Sequence, residues 1–268
     1  MSLLLARLHE ADGLRVVFQP IYEFDARGNA RLHGVEGLVR GPLGTNLERA
    51  DVLFEYVRRK RVESSIDRLC VERIICETRA LRGTPRCSLN VHASTLGRDS
   101  TFVGHLAACA ERHGLAASRI TVEIVEQLPV WEGPGFARAL AELRELGVRI
   151  ALDDVGAGYS NYAMMLDTRP DYLKIDRYLV TDCQSDPSRR AVLRSIAELS
   201  GALGARAVAE GIDSLSALHA VLSQGITLVQ GFLLSAPREP SVEIAEELWV
   251  PDTGCPPLYR SRPLPLTG

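Results

Sequence analysis

The sequence predicts an α/β fold, a TIM-like (β/α)8 barrel whose first strand runs antiparallel to the rest. Three observations predict it. Short β-branched runs alternate with long stretches of helical periodicity along most of the 268 residues. Eight such runs can be read, enough to close a barrel rather than leave an open sheet. Nearly every run ends on a polar residue, and barrels of this type place their chemistry at the C-terminal strand ends.

The first strand is read at residues 16–24 and the second at 34–40. The turn-like segment between them, 25–31, is too short for a crossover helix, so the two form a hairpin. Amphipathic helices at 50–59 and 64–81 lead to a strand at 88–92, and a helix at 102–113 leads to one at 120–125. A helix at 135–146 precedes the strand at 149–155, and a strand at 172–175 follows. Then come a helix at 188–203, a strand at 205–210, a helix at 214–224 and the last strand at 228–231. Gly114, Gly147, Gly204 and Gly225 follow helices and supply the left-handed residue that ends them. The barrel domain is read as 1–243. Residues 244–268 are a short C-terminal segment whose tail, from Pro251, carries five of the fourteen prolines and is expected to form no regular element. The sequence shows no second domain, internal repeat or coiled coil.

Composition narrows the function. A formal net charge of −3 offers no basic field for a nucleic-acid duplex, so any anionic ligand must be met locally. The six cysteines are scattered without CxxC or Cys/His metal spacing, as expected of reduced thiols that act as small buried hydrophobes. The opening MSLLLARLHE has too short an apolar run for a signal peptide or membrane span. A soluble, cytoplasmic protein with no membrane contact is the expectation.

The strand ends carry Glu36, Asn90, Glu123, Asp153 with Asp154, Lys174, Glu210 and Gln230. Strand alternation puts Lys174 opposite Leu173 and Ile175, and Asn90 opposite Leu89 and Val91, so the polar members face into the barrel. Taken singly, each has an ordinary reading: a carboxylate can cap a helix, Asp153 can close an Asx turn, Lys174 can be a surface lysine and Asn90 a turn former. Taken together, five carboxylates at one barrel mouth repel one another unless cations neutralise them. Oxygen donors with no histidine suit Mg2+ or Mn2+, not zinc or copper. Two such cations suit phosphodiester hydrolysis, with Lys174 placed to steer a water, accept its proton through a chain, or hold the phosphate.

Further short motifs surround these residues: FQPI at 18–21, EGLVR at 36–40, SLNV at 88–91, ExxE at 123–126, DDVGAGYSN at 153–161, LKID at 173–176, AEG at 209–211 and QG at 230–231. They occur in order and span nearly the whole chain. Through them the chain resembles the EAL-domain cyclic-di-GMP phosphodiesterases. The resemblance implies hydrolysis of cyclic diguanylate (c-di-GMP) to linear pGpG with two divalent cations, Mg2+ or Mn2+, and inhibition by Ca2+. It implies that Glu36, Asn90, Glu123 and Asp153 ligate one metal, while Asp153, Asp154 and, directly or through water, Glu210 serve the second. Lys174 would position or activate the nucleophilic water, with Glu36 and Glu210 counted among the catalytic residues. Gln230 would hold water or substrate, Arg40 a phosphate, and Asp213 a guanine, with Gln19 close to the ligand. The segment 153–161 corresponds to a loop over the metals, anchored by Glu126, that joins metal binding to a homodimer contact. A separate regulatory protein partner is compatible with a chain that shows no sensory domain.

Three positions depart from the resemblance. Gly37 stands for the usual alanine, Val155 for a common phenylalanine and Asp213 for a glutamate. Alternation turns Gly37 toward the helices, so the expected cost is about 1 kcal/mol of lost packing and backbone entropy, with Glu36 unmoved. Val155 is expected to cost the loop about 1–2 kcal/mol of aromatic packing. Two other classes compete with the enzyme: a c-di-GMP receptor that binds without cleaving, and an unrelated metal barrel acting on other phosphates or on carbon acids with Lys174 as base. Receptors of the family typically lose metal ligands, and here all are present.

Overall fold

The computed structural model describes residues 3–10, 13–83, 85–125, 133–157 and 162–250. Its elements are α1 (Leu3–Leu8), β1 (Arg15–Phe24), β2 (Asn29–Arg40), α2 (Ala50–Lys60), α3 (Glu63–Glu77), β3 (Arg86–His92), α4 (Ala93–Arg98) and α5 (Phe102–His113). Then follow β4 (Ile120–Val125), α6 (Pro134–Glu145), β5 (Arg149–Val155), α7 (Tyr162–Thr168), β6 (Tyr172–Ile175), α8 (Arg177–Val180), α9 (Pro187–Ala202), β7 (Arg206–Ala209), α10 (Leu215–Leu222), β8 (Leu228–Val229) and β9 (Glu247–Trp249).

Strands β2 to β8 pair in parallel, each with the next, and β1 closes the ring by pairing antiparallel with both β2 and β8. This is the expected closed barrel with an inverted first strand. The connecting turn is tighter than expected: it occupies 25–28, and β2 already begins at Asn29. The reason is local. The Asp25 carboxylate accepts from the backbone N of Arg27 and of Asn29, and Gly28 takes φ 84°, so the chain reverses within four residues.

Helix ends follow the expected chemistry. The Asp186 carboxylate accepts from the N–H of Ser188 and Arg189 to start α9, and Ser214 accepts from Ala217 to start α10. Gly114, Gly147, Gly204 and Gly225 all lie at φ between 67° and 86°. Among the described cysteines, Cys70, Cys87, Cys109 and Cys183 are buried, Cys76 is exposed and none is disulfide-bonded. No described helix is long and apolar enough to cross a membrane.

Two apolar layers result. The larger lies between the strands and the surrounding helices. A smaller one, Ile21, Ala151, Tyr172, Val208 and Leu228, fills the barrel interior. Each of these five sits two residues along its strand from Gln19, Asp153, Lys174, Glu210 or Gln230, so period-two alternation stacks the polar set directly on an apolar floor.

β9, which the sequence reading did not place, adds antiparallel to residues Asn29–Arg31 of β2, outside the barrel. Short helices α1, α4, α7 and α8 were likewise not read. β8 is shorter than expected and stops before Gln230. There the chain leaves the sheet to lie against Ile212: Ile212 N donates to Gln230 O and Leu233 N to Ile212 O. A Cβ on Gly231 would fall 2.1 Å from the Ile212 carbonyl oxygen, so this crossing requires glycine.

Candidate metal centre

Lys174, in the middle of β6, is 2% exposed and organises the barrel mouth. Its Nζ lies 2.5 Å from Glu123, 2.6 Å from Glu210, 3.2 Å from Glu36 and 3.5 Å from Asp153. These four carboxylates come from four strands or their immediate ends. Both oxygens of Glu36 are also occupied by amides: Asn90 Nδ2 donates to Oε1 at 2.8 Å, and Gln230 Nε2 to Oε2 at 2.8 Å. Gln230 Nε2 also reaches Gln19 Oε1 at 3.1 Å, and Gln19 Nε2 is tied to the Ser235 carbonyl at 3.2 Å.

The backbone explains how two consecutive acids reach one rim. Alternation would send Asp153 in and Asp154 out. The β5–β6 register shifts between Leu152 and Val155, and Asp154 takes φ 53°, so the strand bulges there and re-aims the pair. Asp154 then stands near Asp176, whose carboxylate also caps α8 by accepting from Tyr178 N.

The electrostatics are those of a site short of positive charge. Burial pulls the Lys174 ammonium down, but the surrounding carboxylates outweigh it and hold its pKa well above the usual lysine range. Burial would raise Glu36, yet Lys174 and the two amide donors keep it below the ordinary carboxylate value. The remaining acids go the other way. Burial lifts Glu123 to about 8 despite Lys174, with Glu36 and Asp153 adding repulsion. Burial likewise raises Asp153 and Glu210, and lifts Asp154 to about 6 together with Asp153 and Asp176. One ammonium cannot satisfy four carboxylates, so three of them hold a proton more tightly than an ordinary carboxylate does.

Does this donor set fit divalent cations? Among the described residues no trio of acid, histidine or cysteine side chains is already drawn into a metal cage, because the carboxylates are gathered on Lys174. The ammonium is the cation here. The chemistry fits nonetheless: the donors are all oxygen, acidic groups outnumber the one ammonium, and the buried Gln230 Oε1 has no hydrogen-bond partner among the described residues.

A family model described as EAL domain matches residues 3–237. The chain belongs to the EAL-domain family. Among its relatives, the uncharacterized protein Rv1354c of Mycobacterium tuberculosis is 32% identical over 251 residues, covering 88% of this chain and 38% of that protein. The cyclic di-GMP phosphodiesterase NbdA of Pseudomonas aeruginosa is 29% identical over 231 residues, covering 84% of this chain and 29% of that protein. The chain thus spans well under half the length of these relatives. Among solved structures, the calcium/cy-diGMP complex of Klebsiella pneumoniae BlrP1 superposes with a TM-score of 0.77 at 27% identity, covering 88% of this chain and 59% of that one.

Within this EAL domain, the fold brings together Glu36, Asn90, Glu123, Asp153, Lys174, Glu210, Gln230 and Gln19, and sets Asp154 at the rim. Arg40 is half-buried at the end of β2 and donates to the adjacent Val39 carbonyl, with no bond to the cluster. Asp213 is exposed beside Ile212, on the loop that crosses the one carrying Gln230. Glu126 and residues 158–161 lie outside the described residues, as does the tail from 251. Val155 is buried and paired with Ile175. The sequence reading gave Asp176 no role, although its carboxylate one residue beyond β6 was a visible signal.

The packing half of one expectation is corrected. The methyl missing at Gly37 leaves no void, because Ile74 of α3 occupies its place: a Cβ there would fall 2.3 Å from Ile74 Cγ2. The packing at the EAL glycine is complete, so any cost there is that of the backbone alone.

Proposed function

We propose that this EAL domain hydrolyses c-di-GMP to linear pGpG with the aid of two divalent cations, Mg2+ or Mn2+. The observation that carries the reading is the convergence of four carboxylates on one buried lysine at the C-terminal strand ends, with two amides fixing one of those carboxylates, Glu36. Glu36, Asn90, Glu123 and Asp153 would hold one cation, and Asp153, Asp154 and Glu210 the other. When bound, the cations supply a water of lowered pKa and neutralise charge on the phosphoryl oxygens.

The chain's own residues do the remainder. Water oxygen attacks phosphorus, the bond from phosphorus to the ribose 3′ oxygen breaks, and that oxygen leaves as a hydroxyl. Lys174 Nζ orients the attacking water, held in place by Glu123 and Glu210. Gln230, anchored through Glu36 and Gln19, presents its unpaired Oε1 to water or substrate. Arg40 meets a phosphate oxygen and Asp213 the hydrogen-bonding edge of a guanine. By the family resemblance alone, Glu126, outside the described residues, would anchor a loop over the cations, and that loop would meet a second copy in a homodimer. The protein acts in the cytoplasm, where a separate regulatory partner would supply the controlling signal.

The test is direct. Purified protein is incubated with c-di-GMP and Mg2+ or Mn2+, pGpG is followed, and Lys174→Ala and Glu36→Ala are compared. Turnover that falls roughly 100- to 10,000-fold in Lys174→Ala supports the role of the lysine. Tight binding without turnover in the unmutated chain makes it a receptor, and neither binding nor turnover overturns the proposal.

A further inference from the structure

We propose that Asp67, on α3 outside the barrel, is a positioning residue for the Asn90 and Glu36 pair; this rests on the metal-centre reading above. Asp67 is 1% exposed, and its carboxylate takes three hydrogen bonds. The donors are the His92 backbone N at 3.0 Å, His92 Nδ1 at 2.8 Å and Thr95 Oγ1 at 2.5 Å. All three belong to the junction where β3 turns into α4, with His92 as the last residue of the strand. Phe54 of α2 lies against the His92 ring at 5.9 Å between centroids. A carboxylate this buried is tolerated only while its lone pairs are filled, so it admits few positions of its donors.

Asn90 lies two residues back along the same strand and spends its amide on Glu36. The same helix acts a second time, through Ile74, which packs where a Cβ on Gly37 would fall, one residue beyond Glu36. Two points of α3, seven residues apart, therefore bear on the two strands whose side chains meet at 2.8 Å. Groups behind metal ligands tune affinity by fixing ligand orientation. Asp67 does so through the backbone of β3, without touching ligand or substrate.

Asp67→Asn keeps the shape but replaces one acceptor oxygen with a donor facing donors. Thr78→Val is the control for lost stability alone: Thr78 is also buried, just past the far end of α3, and among the described residues its hydroxyl bonds only the Ile75 carbonyl in the same turn. Two readouts separate the roles. In metal-free protein, the side-chain amide NMR signals of Asn90 should shift or broaden in Asp67→Asn and stay in place in Thr78→Val. In Mn2+ titrations, Asp67→Asn should raise Kd about tenfold, with Thr78→Val unchanged. If Asp67→Asn does not fold, Thr95→Val, which removes one of the three bonds, should give the same changes on a smaller scale. Unchanged Asn90 signals and unchanged Kd, with only a lower Tm, would overturn the proposal. If the unmutated protein binds no Mn2+, the metal reading fails by itself and the Asn90 signals still decide the role of Asp67.

Discussion

Glu36 and Gly37 are neighbours with opposite surroundings, and the difference shows what a single residue can and cannot announce. Alternation along β2 turns Glu36 inward to Lys174 and Gly37 outward to α3, and this much was legible from the motif. What fills the space beside Gly37 was not, because Ile74 arrives from an element 37 positions later and its depth is a property of packing. The consequence is testable. Gly37→Ala, which restores the commoner residue of the motif, should destabilise this chain by about 1–3 kcal/mol through overpacking. Ile74→Ala alone should cost about 2–5 kcal/mol by opening a cavity. The two combined should cost less than their sum, since the new methyl enters the space that Ile74 leaves. Urea unfolding of the three variants measures this, and strict additivity would show that the two side chains do not compete for one space.

Elements were readable in proportion to their length. The hairpin and the long helices carry turn chemistry, caps and enough periodicity to be seen, whereas α4, α7 and α8 span only four to seven residues. β9 could not be seen at all, since three residues gain their strand geometry only by meeting β2. Its segment is nonetheless well attached: Tyr22 Oη donates to the Ala245 carbonyl, Leu32 N donates to the Glu246 carbonyl, and Ile244 and Leu248 pack against the main core. The proposal that the first 243 residues form an autonomous barrel is tested by ending the chain at Glu243. The shortened barrel should fold, because ring closure uses β1 to β8, but with stability lowered by on the order of 2–4 kcal/mol from the uncovered apolar surface. Trp249→Ala removes a side chain that is 74% exposed and should change stability by no more than about 0.5 kcal/mol. Equal losses from both changes would mean that the contacts of 244–248 contribute little.

At the scale of the molecule, a net charge of −3 says little, because the charge that matters is concentrated in one buried group of acids. The sequence revealed which acids these are; it could not reveal that Lys174 holds them, since that depends on a ring of distances. The arrangement makes stability depend on pH in a definite sense. Burial raises Glu123 from an ordinary 4.5 to about 8, so between those values the folded chain keeps a proton that the unfolded chain has lost. Stability then falls as pH rises through the window. Glu210 and Asp153, also raised, act in the same direction. Acids held below their ordinary values, such as Asp99 beside Arg68, have delivered their gain before pH 5 is reached. Among the described groups with a shifted pKa, His33, lowered first by burial and next by Arg206, opposes the trend, and it does so below its ordinary 6.5. The metal-free protein should therefore show a Tm that declines from about pH 5 to pH 8, and Glu123→Gln should flatten the decline. Mn2+ must displace the retained protons to bind, so its stabilising effect should grow across the same window. Thermal unfolding at both pH values, with and without saturating Mn2+, measures all three. A Tm that rises with pH in the metal-free protein, or a metal effect equal at both ends, would mean that the acids are not held protonated around Lys174.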